Sequence, residues 1–408
     1  MTERIKRLRA RTLRAVPTLS SERGRLLTRY YRSGAADGLS GARQRAGAFA
    51  WFLARKKVAI LPDELIVGER GPAAKATPTY PEITCHSLHD LDVLDRRQRT
   101  RFRVSAAARS DFAREIIPFW KGRTMREKLF ALMEPEWLFA YEAGVFTEFM
   151  EQRAPGHTAC GEKIYAKGLL DLQGEARAAR QALDYLDDPL ALARSEELLA
   201  MEEAAGAVIA LARRYAVEAR RLAGREKSAA RRRELKRIAA VCERVPAHAP
   251  RDFHEALQHY WFIHLGVISE ANPWDAFNPG RLDQHLLPFY RRGLADGTLS
   301  REAARELLQA FWVKFNNHPS PPKVGVTAEE SGTYTDFALI NTGGVDEAGA
   351  DGVNEVSFLI LEVIEEMRLL QPSSMVQVSE RNPDAFLHRA LRIVRTGFGQ
   401  PSLFNSEA

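Results

Sequence analysis

Residues 315–337 read Phe-Asn-Asn-His-Pro-Ser-Pro-Pro-Lys-Val-Gly-Val-Thr-Ala-Glu-Glu-Ser-Gly-Thr-Tyr-Thr-Asp-Phe. Lys323-Val-Gly-Val-Thr is short, β-branched and bounded by breakers, which predicts a strand. The Gly- and Ser/Thr-rich loop after it can offer backbone N–H groups to a carboxylate, although many loops share that composition. Upstream, Leu307, Leu308, Phe311 and Phe315 set an apolar stripe on a helix that follows Ser300. Downstream, Val356, Leu359, Ile360, Val363, Ile364 and Met367 do the same for another helix. Met375-Val-Gln-Val-Ser and, far upstream, Leu65-Ile-Val-Gly are the other strand candidates. Strands separated by helices favour parallel pairing, hence a helix-rich α/β arrangement.

The remaining helices follow from simple signals. Residues 190–223 are rich in Ala, Leu and Glu without proline and predict one long helix. Asp252 and Glu255 have capping-box spacing before Ala256–Val267. Asn382 as cap and Pro383 in the first turn open a helix through about Thr396. The run Phe398-Gly-Gln-Pro-Ser-Leu-Phe-Asn approaches a further strand. The weakest join lies near Asp187–Pro189. It divides the chain into residues 1–188, an N-terminal helical region with the first strand candidate, and 189–408, a helical segment with the others.

Composition excludes several classes. No run of about 18 apolar residues exists, so no transmembrane helix is expected, and no apolar secretory segment opens the chain. Three cysteines (Cys85, Cys160, Cys242) without a pairing pattern fit a reducing cytoplasm. The net charge is +6. Its basic residues alternate with Glu along stretches such as Arg213–Arg237, which reads as solvated helix rather than a nucleic-acid surface. The basic stretch Arg4–Arg14, with Glu3 and helically spaced Ile5, Leu8 and Leu13, reads as a surface helix. His254 and His259 are five apart and diverge on a helix, so a zinc-protease motif is not met. His86 and His89 lack a third ligand nearby, and no metal is assigned.

Three segments look different from core or surface. In Phe149-Met-Glu-Gln-Arg-Ala-Pro-Gly-His-Thr, His157 sits on a turn and can face a cleft or cap the next helix. In Pro273-Trp-Asp-Ala-Phe-Asn-Pro-Gly-Arg-Leu-Asp-Gln284, Asp275 stands between aromatics, suited to binding an amine or moving a proton. Arg281 and Asp283 in the same segment read as a structural pair. The third is the 321–337 loop.

Together these segments resemble the first part of a glycyl radical enzyme of the pyruvate formate-lyase-like family. Pro-Gly-His-Thr, Trp-Asp-Ala-Phe and Glu-Ser-Gly-Thr-Tyr-Thr-Asp-Phe are similar to its hydroxyproline branch. Further matching blocks are Pro78-Thr-Tyr-Pro-Glu-Ile-Thr-Cys-His, Gly161-Glu-Lys-Ile-Tyr and Trp312-Val-Lys-Phe-Asn-Asn. The resemblance implies the first half of a ten-stranded α/β barrel wrapped in helices. It implies a dehydratase that removes water from trans-4-hydroxy-L-proline to give 1-pyrroline-5-carboxylate. On the matching positions, Asp275 and His157 contact the amine and hydroxyl side of the substrate. Ser331 and the Phe337 backbone hold its carboxylate, and Phe149 walls the ring.

The family also implies a glycyl radical, installed by a radical-SAM activating enzyme and relayed to a cysteine, and a cytoplasmic homodimer that binds neither nucleic acid nor membrane. The signature Gly-x-Ser-Gly-Cys-x-Glu and the radical glycine segment are absent before Ala408. Cys160 follows the His-Thr motif, outside that context, and reads as packing. The expectation is a fragment, inactive alone and binding no cofactor. Its alternatives are another glycyl radical lyase, or a non-catalytic subunit completed by a second chain.

Overall fold

A computed structural model describes residues 1–146, 161–270, 277–330 and 338–407. The chain begins with α1 (Glu3–Arg14), β1 (Thr18–Ser20), α2 (Glu22–Arg32), α3 (Gly41–Arg55) and β2 (Ala76–Pro78). Short helices follow: α4 (Leu88–Arg96), α5 (Ala106–Asp111), α6 (Ile117–Trp120), α7 (Met125–Phe130) and α8 (Pro135–Glu142). A π turn, Phe112–Ile116, joins α5 to α6. Next come α9 (Lys163–Ala166), α10 (Leu169–Gln181), α11 (Ala191–Arg225), α12 (Ala229–Arg244) and α13 (Phe253–Ser269). Then follow α14 (Leu282–Ala295), α15 (Arg301–Asn316) and α16 (Gly325–Glu330). The last unit alternates β3 (Leu339–Gly343), α17 (Glu355–Met367), β4 (Ser373–Val378), α18 (Asp384–Val394) and β5 (Ser402–Asn405).

All named strand pairs are parallel. β1 lies beside β2, with Leu19 opposite Thr77. β3, β4 and β5 form a sheet in that order, Asn341 opposite Met375 and Met375 opposite Ser402. Each helical crossover returns the chain to a parallel neighbour, as parallel pairing requires. α17 carries the predicted stripe, with Val356, Leu359, Ile360 and Val363 fully buried.

α13 is the central post. Its Phe253, Leu257, Tyr260, Trp261, Phe262 and Leu265 are buried, so it is apolar nearly all round, the pattern of an interior helix. α11 runs 35 residues and packs on α3, α10 and α12. Ala212, Ala216, Ala219 and Ala223 are buried along it, and small side chains let neighbouring helices close. The interleaved charges pair locally, as Arg221 with Glu218 at 2.6 Å and Arg231 with Glu234 at 3.0 Å.

Several expectations change. Leu65-Ile-Val-Gly is not a strand, because helix side chains take its backbone groups. Gln258 bonds both the N–H and the C=O of Val67 at 2.8 Å, and Trp261 Nε1 donates to the Gly68 carbonyl at 3.0 Å. Lys323-Val-Gly-Val-Thr is not a strand either. Gly325 adopts a left-handed φ of 58° and its N–H donates to Asp90 at 2.8 Å, opening α16. The capping box at Asp252 is half formed. Asp252 accepts from Glu255 N at 3.0 Å, but the Glu255 carboxylate turns to Arg251. Asn382 does not cap α18; its amide bonds Gly344 O and Asp351, and Pro383 holds the cap position. α1 is less of a surface helix than expected: Ile5 and Leu8 are buried and only Leu13 faces out.

Arg281 and Asp283 do not pair with each other. Both grip the end of β3: Arg281 donates to the Val345 carbonyl, and Asp283 accepts from Gly343 N at 2.8 Å and from Ser357 Oγ at 2.5 Å. Gly343 has a φ of 80°, and an added Cβ would fall 2.3 Å from the buried Phe386 ring. Gly343→Ala is expected to cost about 2 kcal/mol or more, read as a lower urea midpoint. A midpoint equal to that of the parent chain would show that β3 ends differently.

Candidate functional site

After α13 and after α15 the described chain becomes irregular, and these stretches precede two of the candidate segments in sequence. At the end of α13, Tyr80 Oη donates to the Ile268 carbonyl at 2.6 Å and Arg23 Nε to the Ser269 carbonyl at 2.9 Å. Arg23 is itself buried, pairs with Glu82 at 2.7 Å and lies 4.0 Å over the Tyr80 ring. Arg45 holds Glu270 at 2.8 Å. The orphan carbonyls that end any helix are thus met by side chains from the first hundred residues.

Phe277, the next described residue, lies against the Tyr260 and His264 side chains of α13. Tyr260 Oη and His264 Nδ1 both donate to the Phe277 carbonyl, at 2.5 and 2.7 Å. The Phe277 ring stacks on Tyr260. Asn278 Oδ1 accepts from Leu339 N at 2.7 Å, and Arg281 bridges to Asn341 in parallel. The stretch after Phe277 therefore runs beside the start of β3. Gly325 lies against α8: a Cβ added there would sit 2.9 Å from Tyr141 Oη. Arg126 of α7 donates to the same hydroxyl at 2.9 Å.

Beneath the proline-rich loop lies a buried ionic cluster. Lys314, on α15, meets Glu64 at 2.8 Å and also Glu69, all three almost without solvent contact. Asn317 Nδ2 and His318 Nε2 each donate to Glu69 at 2.9 Å. Burial opposes the Glu69 charge, but Lys314 and His318 overcome it and hold the carboxyl down at about 2. Burial likewise opposes the Lys314 charge, and the two glutamates push its pKa up. Burial pushes His318 down to about 4, so its ring is neutral at pH 7 and gives Glu69 the Nε2 proton. Trp261 stacks between His264 and His318, at 4.9 and 5.2 Å between ring centres. One indole thus links the Phe277 anchor to the proline-rich loop.

Asp275, His157, Phe149, Ser331 and Phe337 all lie outside the described residues, as does Cys160. His254 and Glu255 serve structure: His254 Nε2 bonds the Leu65 carbonyl at 2.9 Å and Glu255 pairs with Arg251 at 3.0 Å. Among the described residues no three His, Cys, Asp or Glu side chains gather as a metal site. Sequence reading missed Glu64, Glu69, Lys314, His264 and His318. A lysine within the apolar stripe of α15 and two glutamates bracketing Leu65-Ile-Val-Gly were the available signals.

With this geometry in place, comparison with known proteins is informative. A family model described as pyruvate formate lyase-like matches residues 1–408. Trans-4-hydroxy-L-proline dehydratase of Clostridioides difficile is 51% identical over 410 residues, covering 100% of this chain and 51% of the relative. A crystal structure of hydroxyproline dehydratase from the same organism, with trans-4-hydroxy-L-proline bound, superposes with a TM-score of 0.96. That match covers 100% of this chain and 52% of the crystallised one. The glycerol-bound B12-independent glycerol dehydratase of Clostridium butyricum gives 0.91 at 28% identity, covering 100% and 51%. The chain spans about half the length of the relatives it matches.

Proposed function

Because the chain belongs to the pyruvate formate lyase-like family, we propose that it forms the substrate-binding part of a dehydratase acting on trans-4-hydroxy-L-proline. The observation that carries this reading is the 51% identity along the whole chain to a dehydratase of that substrate, against 28% to the glycerol enzyme. Loss of the hydroxyl as water, with hydrogen removed beside the ring nitrogen, gives 1-pyrroline-5-carboxylate. In such enzymes a radical-SAM activating enzyme installs a glycyl radical, and a cysteine to which it is relayed abstracts the hydrogen atom. We assign neither to this chain, which is therefore proposed to be inactive alone and to work within a longer, dimeric, cytoplasmic enzyme.

The chain's own residues would bind and protonate. A hydroxyl leaves poorly unless an acid lies beside it, and a ring ammonium needs a carboxylate. Asp275 and His157 are assigned to that side. Ser331 and the Phe337 backbone are assigned to the substrate carboxylate, and Phe149 to the ring face. The clamp on Phe277 supports the reading, since it braces chain close in sequence to Asp275.

The experiment joins this chain to the part of the Clostridioides difficile relative that it does not cover. Asp275→Asn in that protein is expected to lower turnover at least about a hundredfold, since it leaves a desolvated cation unpaired. Ser331→Ala removes one hydrogen bond to a charged group, worth about 1.5–3 kcal/mol, and is expected to act mainly on KM. Equal turnover by Asp275→Asn and the parent would refute the assignment.

A further inference from the structure

A cavity of about 530 Å³ opens beside the β1–α2 junction, and none of its lining residues is among those named for the candidate site. Four arginines line it, Arg25, Arg29, Arg55 and Arg103, against two acidic residues, Glu22 and Asp111. Arg25 and Arg29, one turn apart on α2, are matched by Asp111 and by Glu115, at 3.2 and 2.7 Å. Arg55 and Arg103 form no ion pair among the described residues. Arg55 is nevertheless held in place, its guanidinium carbon 3.3 Å over the Trp51 ring.

A solvated helix face spreads its arginines over a convex surface beside matching acids. Here they converge on a concavity with an excess of positive charge, and concave walls focus that field. The N-terminal end of α2 adds to it. Ser21, at the N-cap, gives its hydroxyl to Asp111 at 2.6 Å instead of capping the helix. Leu19, Leu26 and Pro72 supply an apolar wall. Arg55 and Arg103, which have no acidic partner among the described residues, suit an anion, and planar guanidinium forks match phosphate oxygens.

We propose that this cavity binds a small phosphorylated ligand, its phosphate on Arg55 and Arg103 and its apolar body against Leu19, Leu26 and Pro72. Titration calorimetry of the 408-residue chain with phenyl phosphate tests it. Saturable binding at one site is expected, weakened at least about tenfold by the double variant Arg55→Gln/Arg103→Gln. Both side chains are exposed, so the melting midpoint is expected to hold; should it fall, Arg103→Gln alone is the variant to read. Arg7→Gln, which removes an exposed arginine elsewhere, is expected to change nothing. Phenol, which lacks the phosphate, is expected not to bind. The proposal is overturned by absent saturation, by undiminished affinity in the arginine variants, by equal loss in Arg7→Gln, or by equal binding of phenol.

Discussion

Acidification is expected to unfold this chain cooperatively between pH 6.5 and pH 4. His259, His264 and His318 are 0%, 0% and 3% exposed. Burial pushes them from the ordinary 6.5 down to about 4, 3 and 4. For a base depressed in the folded state, the unfolded chain takes up the proton first. Stability is therefore complete above pH 6.5, falls as the pH drops below it, and stops falling only below the folded-state value. At about 1.4 kcal/mol per unit, each histidine removes on the order of 3 kcal/mol. Together they reach the range of an ordinary domain's whole stability, about 5–15 kcal/mol, and Asp283, which burial pushes up to about 6, offsets part of the loss over the same range. Glu69, held near 2, adds its own loss only at more acid pH, below its ordinary 4.5. Far-UV circular dichroism against pH measures this, and His259→Leu, which removes one titrating group, is expected to flatten the transition. Helicity that persisted unchanged to pH 4 would contradict the burial of these rings.

Lys314→Met is the substitution expected to destabilise the fold most. Lys314, Glu64 and Glu69 have side chains exposed by only 1%, 4% and 2%. The attraction among them offsets a large desolvation penalty. Removing the cation strands two buried carboxylates, and breaking such a pair costs about 3–5 kcal/mol. Replacing the whole cluster behaves differently, because no uncompensated charge remains. The triple variant Lys314→Met/Glu64→Gln/Glu69→Gln is expected to recover a substantial part of the loss. Urea unfolding measures both. A single variant as stable as the parent would mean that the cluster is hydrated rather than sealed beneath the proline-rich loop.

The cluster also shows where sequence reading stops. The stripes on α15 and α17, the long α11 and the strands β4 and β5 were legible, because their periodicity is a property of the local sequence. Leu65-Ile-Val-Gly has strand composition, but its hydrogen-bond partners are Gln258 and Trp261, some 190 residues away. Nothing local distinguishes that arrangement from a sheet. Thr18–Ser20 and Ala76–Pro78 are three residues each, too short to carry an alternating pattern. Lys323-Val-Gly-Val-Thr was misread because Asp90 and the left-handed Gly325 decide its course. The candidate site is assigned only through the combined resemblance of three segments, since each alone has the composition of an ordinary loop. His264 and Tyr260, which hold the Phe277 carbonyl, and Trp261 look in sequence like any apolar helix.

The most direct test of the central claim is product formation by this chain joined to the uncovered part of the Clostridioides difficile relative. The joined protein is activated anaerobically with a radical-SAM activating enzyme and S-adenosylmethionine, then given trans-4-hydroxy-L-proline. The account predicts 1-pyrroline-5-carboxylate, little turnover of glycerol, choline or pyruvate, which present no ring to Phe149, and none by the 408-residue chain alone. A joined protein that carries a glycyl radical signal yet leaves trans-4-hydroxy-L-proline unchanged, or that turns over glycerol equally well, would contradict it.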